Sequence, residues 1–208
     1  MHQTRSQVNK KIPIARKGTK YVARPLMDLE NSVPVVIAVR NMLKLARTAK
    51  EVKQMVGQKS LKLNSKEVRD YRDSIRLFNL FEADKSYILS LTSHGKFVFE
   101  ETKQKERPCK VINKKILNNK KIQLNLHDGS NVLSDDSKIK TQDTVYLDSE
   151  NKIKKHVEFS HGKDCIIING KLLGHKGKIE KIEEDKVVVK IKGKDDEVKL
   201  EKSGVIVL

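Results

Sequence analysis

No tryptophan occurs in this chain, aromatics make up only 4% of it, and no apolar run approaches the roughly 20 residues that span a bilayer. With 37% hydrophobic residues over 208 positions, one large core is out of reach and two or three small ones are expected. The shortage of aromatics also argues against a stacking platform for single-stranded nucleic acid, because no strand is expected to carry exposed paired rings. Cysteine is equally scarce. Cys109 and Cys165 are far apart, so neither a disulfide framework nor a cysteine zinc site is indicated, and both are expected to be buried as small apolar residues. The opening residues lack the apolar segment of a signal peptide, from which an intracellular, cytoplasmic protein with no membrane partner is expected.

What the chain has in excess is positive charge. Lys and Arg number 44 against 27 Asp and Glu, a formal net charge of +17, and self-repulsion of that size opposes compaction unless a polyanion offsets it. The excess is local. Residues 1–24 hold seven basic residues and no acid, 40–76 hold eleven against four, and 103–121 hold eight against one. The stretches 25–39, 77–102 and 122–165 are each net −2, and 166–208 is net +2. A single lysine run reads equally well as an ordinary solvated face; three separated blocks point to a phosphate-rich partner.

Residues 1–33 read as a basic N-terminal arm carrying Arg5, Lys10, Lys11, Arg16, Lys17, Lys20 and Arg24, with no sustained apolar period, disordered alone and ordered on a phosphate surface. Ser32 predicts a helix N-cap with Pro34 in the first turn, followed by Val36, Val39, Leu43 and Ala46 at helical spacing. On such a helix Arg40, Lys44 and Arg47 fall at i, i+4 and i+7 and share one face. Thr48 and Glu51 form a Thr-x-x-Glu capping box for a second helix, with Ala49, Val52 and Val56 buried, Lys50 and Lys53 on the polar side and Gly57 as the stop. Alternation at Leu61, Lys62 and Leu63, the turn pair Asn64 and Ser65, and then Lys66 to Arg69 predict a small hairpin.

From Tyr87 onward short strands are punctuated by turns at residues 93–95, Asn118 and Asn119, Asp128 and Gly129, and Glu150 and Asn151. The clearest strand is 121–127, where Ile122, Leu124 and Leu126 alternate with Lys121, Gln123, Asn125 and His127. Residues 165–208 supply four or five more strands, enough for a small barrel. The fold class expected is therefore α+β in several domains: the arm 1–33, a helix-pair and hairpin domain 34–97, a central all-β domain 98–165 and a small β-barrel 166–208.

Enzymatic signals are weak. Gly18-Thr19-Lys20 lacks the spacing of a phosphate-binding loop, and the glycines of 170–177 do not follow the dinucleotide pattern. His127-Asp128 invites an acid–base reading, yet it precedes Gly129 at a strand end, where Asp-Gly is a common turn. The remaining histidines show no metal-ligand spacing, and Asp135 and Asp136 read as a solvated loop. No catalytic residue, metal, cofactor or small-molecule substrate is expected.

In order along the chain, three elements resemble the archaeal and eukaryotic small-subunit ribosomal protein S-four-e family. Residues of about 34–97 resemble the S-four RNA-binding domain, or alpha-L motif, in which two helices and a hairpin present a basic face. The run Ile122-Gln123-Leu124-Asn125-Leu126-His127-Asp128-Gly129 is similar to the central domain of the archaeal branch. Gly170-Lys171-Leu172-Leu173-Gly174-His175-Lys176-Gly177-Lys178-Ile179 resembles a KOW motif at the start of a small barrel. Where the family usually has glycine in the hairpin after the second helix, this chain has Lys59 and Ser65. The resemblance implies a structural constituent of the small ribosomal subunit, with small-subunit rRNA and neighbouring ribosomal proteins as partners. A KOW-containing transcription or translation factor is the alternative, and would have a smaller basic footprint.

Folded RNA hides its base edges in a deep major groove, so a protein reads mostly phosphates, 2′-hydroxyls and shape. The contact set expected is Arg40, Lys44, Arg47, Lys50, Lys53, Lys62, Lys66, Arg69 and Arg72, the arginines forking across phosphate oxygens and the lysines acting as point charges. The cations of the arm join it. In the KOW-like segment Lys171, Lys176 and Lys178 supply charge, while Gly174 and Gly177 allow close backbone approach or a positive φ.

Overall fold

Short alternating segments dominate this chain, and strand accordingly outweighs helix in its computed structural model, which describes residues 2–117, 121–193 and 197–208. The turn expected at Asn118 and Asn119 lies outside the described residues. The chain divides into two compact units, Met1–Thr92 with Lys96–Gln104, and Ser93–Gly95 with Lys105–Leu208.

In the first unit the expected arm is a hairpin: β1 (His2–Thr4) pairs antiparallel with β2 (Tyr21–Ala23). Val8, Ile12 and Val22 are buried, too widely spaced to register as a period yet enough to anchor the segment. The Arg5 guanidinium donates to the carbonyls of Ala15 (2.6 Å) and Thr19 (2.8 Å) and to Thr19 Oγ1 (2.9 Å), closing the loop between the strands. Phe97 N donates to the Lys11 carbonyl at 2.8 Å, so the hairpin is stitched to the rest of its unit.

Ser32 is no N-cap. It lies in β3 (Ser32–Pro34), with its hydroxyl donating to the carbonyls of Met27 (2.9 Å) and Asp28 (2.6 Å), and helix α1 (Val35–Ile37) starts only after Pro34. Val35, Val36, Ile37, Ala38 and Val39 are all at most 2% exposed, so this segment runs through the core instead of lying on it. After one turn it widens into a π-helical turn, Ala38–Met42, closed by Leu43 N donating to Ala38 O at 2.9 Å. Lys44 then takes a left-handed φ of 58°. Arg40, Lys44 and Arg47 therefore do not share a helix face.

The second helix, α2 (Ala49–Gly57), forms as its capping box predicts. The hairpin after it, β4 (Lys62–Leu63) and β5 (Lys66–Glu67), turns through Asn64 (φ 50°) and Ser65 (φ 65°), both in the left-handed region. Lys59, at φ 56°, is left-handed too, so Lys59 and Ser65, the positions at which the resemblance leads one to expect glycine, both adopt a conformation that favours it. Four more strands follow: β6 (Ser74–Arg76), β7 (Leu80–Glu82), β8 (Ser86–Leu91) and β9 (Phe97–Glu101). β6 pairs with β3, and the others complete a five-stranded sheet in the order β5-β4-β7-β8-β9.

The second unit holds two antiparallel five-stranded sheets. In the first, β12-β11-β10-β13-β14, the strands are β10 (Arg107–Ile116), β11 (Ile122–Leu126), β12 (Asn131–Ser134), β13 (Thr144–Leu147) and β14 (Ile153–Val157). Its core is Cys109, Val111, Ile122, Leu124, Leu126, Val132, Ile139, Val145 and Leu147. The alternation read in 121–127 is what buries Ile122, Leu124 and Leu126 there.

The second sheet, β18-β17-β16-β15-β19, comprises β15 (Asp164–Ile167), β16 (Lys176–Ile182), β17 (Lys186–Ile191), β18 (Glu197–Glu201) and β19 (Val205–Val207). It closes over Cys165, Ile179, Val187, Val189, Val205 and Val207. Among the described residues β18 and β19 are edges and do not pair with each other, so the expected barrel is an open, half-barrel sheet. The boundaries expected at 97/98 and 165/166 fall inside β9 and β15, because strand pairing rather than composition sets where a unit ends.

Two buried charges brace this unit. Arg107, 2% exposed, forms an ion pair with Asp128 and donates to Asn151 Oδ1 at 2.7 Å, fixing two turns to β10. Lys110, 3% exposed, donates from Nζ to the carbonyls of Lys202 (2.6 Å), Ser203 (3.1 Å) and Val205 (2.7 Å), tying one sheet to the other. Burial pushes its ammonium down to about 7.

Candidate nucleic-acid interface

Local bonding on α2 separates its charges. Thr48 Oγ1 accepts from Glu51 N (3.2 Å), while the Glu51 carboxylate accepts from Arg47 N (2.7 Å) and the Thr48 hydroxyl (2.9 Å). These bonds, that from Arg47 N foremost, hold Glu51 below the usual carboxylate range. Glu51 is the only acid on α2 and is turned into the cap. Lys50 and Lys53, exposed at i and i+3, have no carboxylate one helical turn away.

Lys53 Nζ lies 4.7 Å from the centroid of the Tyr71 ring, and the Arg72 guanidinium is 5.5 Å from the same ring. Tyr71 is held by its carbonyl, which accepts from Val36 N at 2.8 Å and docks the 69–73 turn against the start of α1. Asp73 closes that turn by accepting from Arg69 N (3.0 Å) and Asp70 N (3.2 Å). Sequence reasoning passed over Tyr71; its position between Arg69 and Arg72 in a basic block was the available signal.

The other expected contacts of this region differ in how free they are. Arg47, Lys44, Lys66 and Arg69 are exposed. Arg72 forks across Asp70 (Nε to Oδ1 3.1 Å, Nη2 to Oδ2 2.7 Å), which holds the carboxylate below its usual range. Lys62 stands opposite Glu67 on one side and Glu82 on the other. Arg40 is half-buried, its Nε donating to Asn41 Oδ1 at 3.0 Å.

In the β1–β2 hairpin, Arg5 is consumed by the loop it closes and Lys11 by Asn31 Oδ1 (2.6 Å), while Arg24 is half-buried. Lys10, Arg16, Lys17 and Lys20 are exposed, the last with its Nζ 5.4 Å from the Tyr21 ring centroid. In the second unit Lys171, Lys176 and Lys178 are exposed. Gly174 and Gly177 are buried and serve packing. Gly174 has φ 86°, and a Cβ on Gly177 would collide with the Lys190 carbonyl of the neighbouring strand.

His127 and Asp128 do not face each other as acid and base: the His127 ring accepts from Lys110 N at 3.1 Å and Asp128 faces Arg107 and Ser130. Among the described residues no group of three or more His, Cys, Asp or Glu could hold a metal, and no helix is long and apolar enough to cross a membrane.

Residues 83–153 match the family described as Ribosomal family S4e. The small ribosomal subunit protein eS4 of Methanocella arvoryzae is 33% identical over 184 residues, covering 85% of this chain and 77% of that protein. Its counterpart from Archaeoglobus fulgidus is 29% identical over 195 residues, covering 90% and 81%. The crystal structure of the 30S ribosomal protein S4e from Thermoplasma acidophilum superposes with a TM-score of 0.72 at 24% identity, covering 86% of this chain and 95% of that one, a likeness of fold.

Proposed function

The chain belongs to the S4e family of ribosomal proteins and is a structural constituent of the small ribosomal subunit, not an enzyme; we propose that it serves there by binding folded rRNA through exposed cations that each unit carries. The observation that carries this is α2, where Lys50 and Lys53 stand clear of any carboxylate on the helix while its one acid is spent on the cap. Cations on a rigid element with no carboxylate beside them are what a phosphate backbone neutralises most cheaply. Arg47, Lys66 and Arg69, and Arg16, Lys17 and Lys20 in the hairpin loop, are further exposed cations of the first unit; Lys171, Lys176 and Lys178 are exposed cations that the second unit offers by itself. Residues 34–97 are read as an S-four-like RNA-binding module and 166–208 as a KOW-type half-barrel. Neighbouring ribosomal proteins complete the partners, and the compartment is the cytoplasm.

The test is the salt dependence of binding to a small-subunit rRNA transcript. Replacing Arg47, Lys50 and Lys53 by Gln is expected to flatten the slope of log affinity against log salt by about 0.7–0.9 for each lost phosphate contact. An unchanged slope and affinity would remove α2 from the interface.

A further inference from the structure

We propose that the outer face of the β10–β11–β12 sheet docks against the minor groove of a double-stranded RNA helix, an inference that rests on the rRNA-binding reading above. Strand register puts Asn113 opposite Asn125 and Asn125 opposite Asn131, so three asparagines form one row across three neighbouring strands. Two residues along, Lys115, Gln123 and Leu133 form the next row on the same face. Gln123 Nε2 donates to Asn125 Oδ1 at 2.9 Å, which orders the two central amides.

Asparagine is among the residues that strands disfavour, so a row of three works against the stability of the sheet. Departures from local preference of this kind gather at functional surfaces. The backbone makes the same point. Val111 pairs with Leu126, and an unbroken register would put Ile112 opposite Asn125; a bulge between Val111 and Asn113 brings Asn113 there instead. One extra residue in β10 thus completes the row and displaces an isoleucine from it.

None of the six residues in the two rows is acidic, and Leu133 is the only apolar one. With Lys115 as their one charge and five of six residues polar, the two rows suit a polyanion. Ile112 (55% exposed), Leu133 (58%) and Ile116 (75%) add exposed apolar surface on the same strands, which is why binding to subunits is read alongside binding to RNA. An amide side chain both donates and accepts. The wide, shallow minor groove of A-form RNA displays 2′-hydroxyls and base edges that do the same, whereas a bare run of phosphates would be met by cations alone. With strands about 4.8 Å apart, the asparagine row spans roughly 10 Å across the sheet.

The experiment compares the full-length chain with its Asn113→Thr, Asn125→Thr, Asn131→Thr variant for binding to a blunt RNA duplex, a DNA duplex of the same sequence, and single-stranded RNA, each at several salt concentrations. Threonine favours strands, so the variant should melt no lower than the parent; should it fail to fold, Asn131→Thr alone on edge strand β12 takes its place. The expected result is roughly tenfold weaker binding to the RNA duplex, an unchanged salt slope because no phosphate contact is lost, and disappearance of the preference for RNA over DNA. A folded variant that binds the RNA duplex like the parent overturns the inference. So does one that binds normally yet fails to join small subunits, which would put a protein on this face, and so does a parent that prefers the single strand. A parent that binds none of the three probes overturns the rRNA-binding reading along with it.

Discussion

Replacing Asp128 by Asn tests whether the buried Arg107–Asp128 pair braces the β10–β14 sheet. Both side chains are at most 2% exposed, so water cannot take over from a missing partner. In the Asp128→Asn variant Arg107 would keep Cys109 Sγ (3.2 Å) and Asn151 Oδ1 (2.7 Å) as neighbours but no counter-charge. Removing one member of such a pair costs about 3–5 kcal/mol, and an Asn whose oxygen stays on Ser130 turns its NH2 toward the Arg107 donors, so the loss is at least about 3 kcal/mol. For a unit of about 100 residues that lowers the midpoint by roughly 12–24 °C. Adding Arg107→Met should restore much of the loss, since an apolar replacement of both charges is often close to neutral. The assay is urea unfolding followed by far-UV circular dichroism on parent, both single variants and the double, closing a double-mutant cycle. Desolvation works to raise the Asp128 carboxyl, but the Arg107 charge and the Ser130 bonds prevail and hold it below its ordinary range. The pair's contribution is therefore fully present above pH ~4 and lost as pH falls through the folded-state value. A single-variant loss under about 1 kcal/mol, or a double variant that is merely additive, would refute the reasoning.

Lys110 gives a pH signature of the opposite kind: burial pushes it from 10.5 down to about 7, so below pH 7 the cost of burying the cation is fully present, and above it the unfolded chain holds a proton that the folded one releases. Stability should rise between pH 7 and about 8.5, beyond which Cys109 and Cys165, pushed up to about 12 and about 11, begin to oppose it; urea midpoints across that range should show the rise in the parent and not in Lys110→Met. Limited trypsin digestion without RNA should cut the parent slowly and chiefly at the exposed Arg16, Lys17 and Lys20, and Arg5→Ala should speed cleavage there by releasing the loop its guanidinium closes; equal rates would mean that the loop does not depend on Arg5.

Features that depend on residues within a few positions of one another were legible without the fold. The Thr48–Glu51 box, the Asn64–Ser65 turn, the alternation through 122–126 and the burial of both cysteines follow from helix caps, turn conformations and a two-residue period, which act locally. The uneven charge was equally open to counting and already pointed to a polyanion. Tertiary structure decided what depends on distant partners. Residues 1–24 gain order from Arg5 closing a loop and from Lys11 meeting Phe97, neither of which a periodicity can reveal. Helix α1 loses its basic face because its apolar residues are surrounded on every side, and burial on all sides overrides an amphipathic pattern. Arg107 with Asp128, Lys110 with three carbonyls, Lys53 over Tyr71 and the asparagine row across three strands each join residues separated along the chain. Composition pointed to the kind of partner proposed above, because net charge acts at long range whatever the fold. Which cations remain free to meet that partner was settled only by packing, since a neighbouring carboxylate or carbonyl brought in by the fold removes a charge from the surface that a count would leave there.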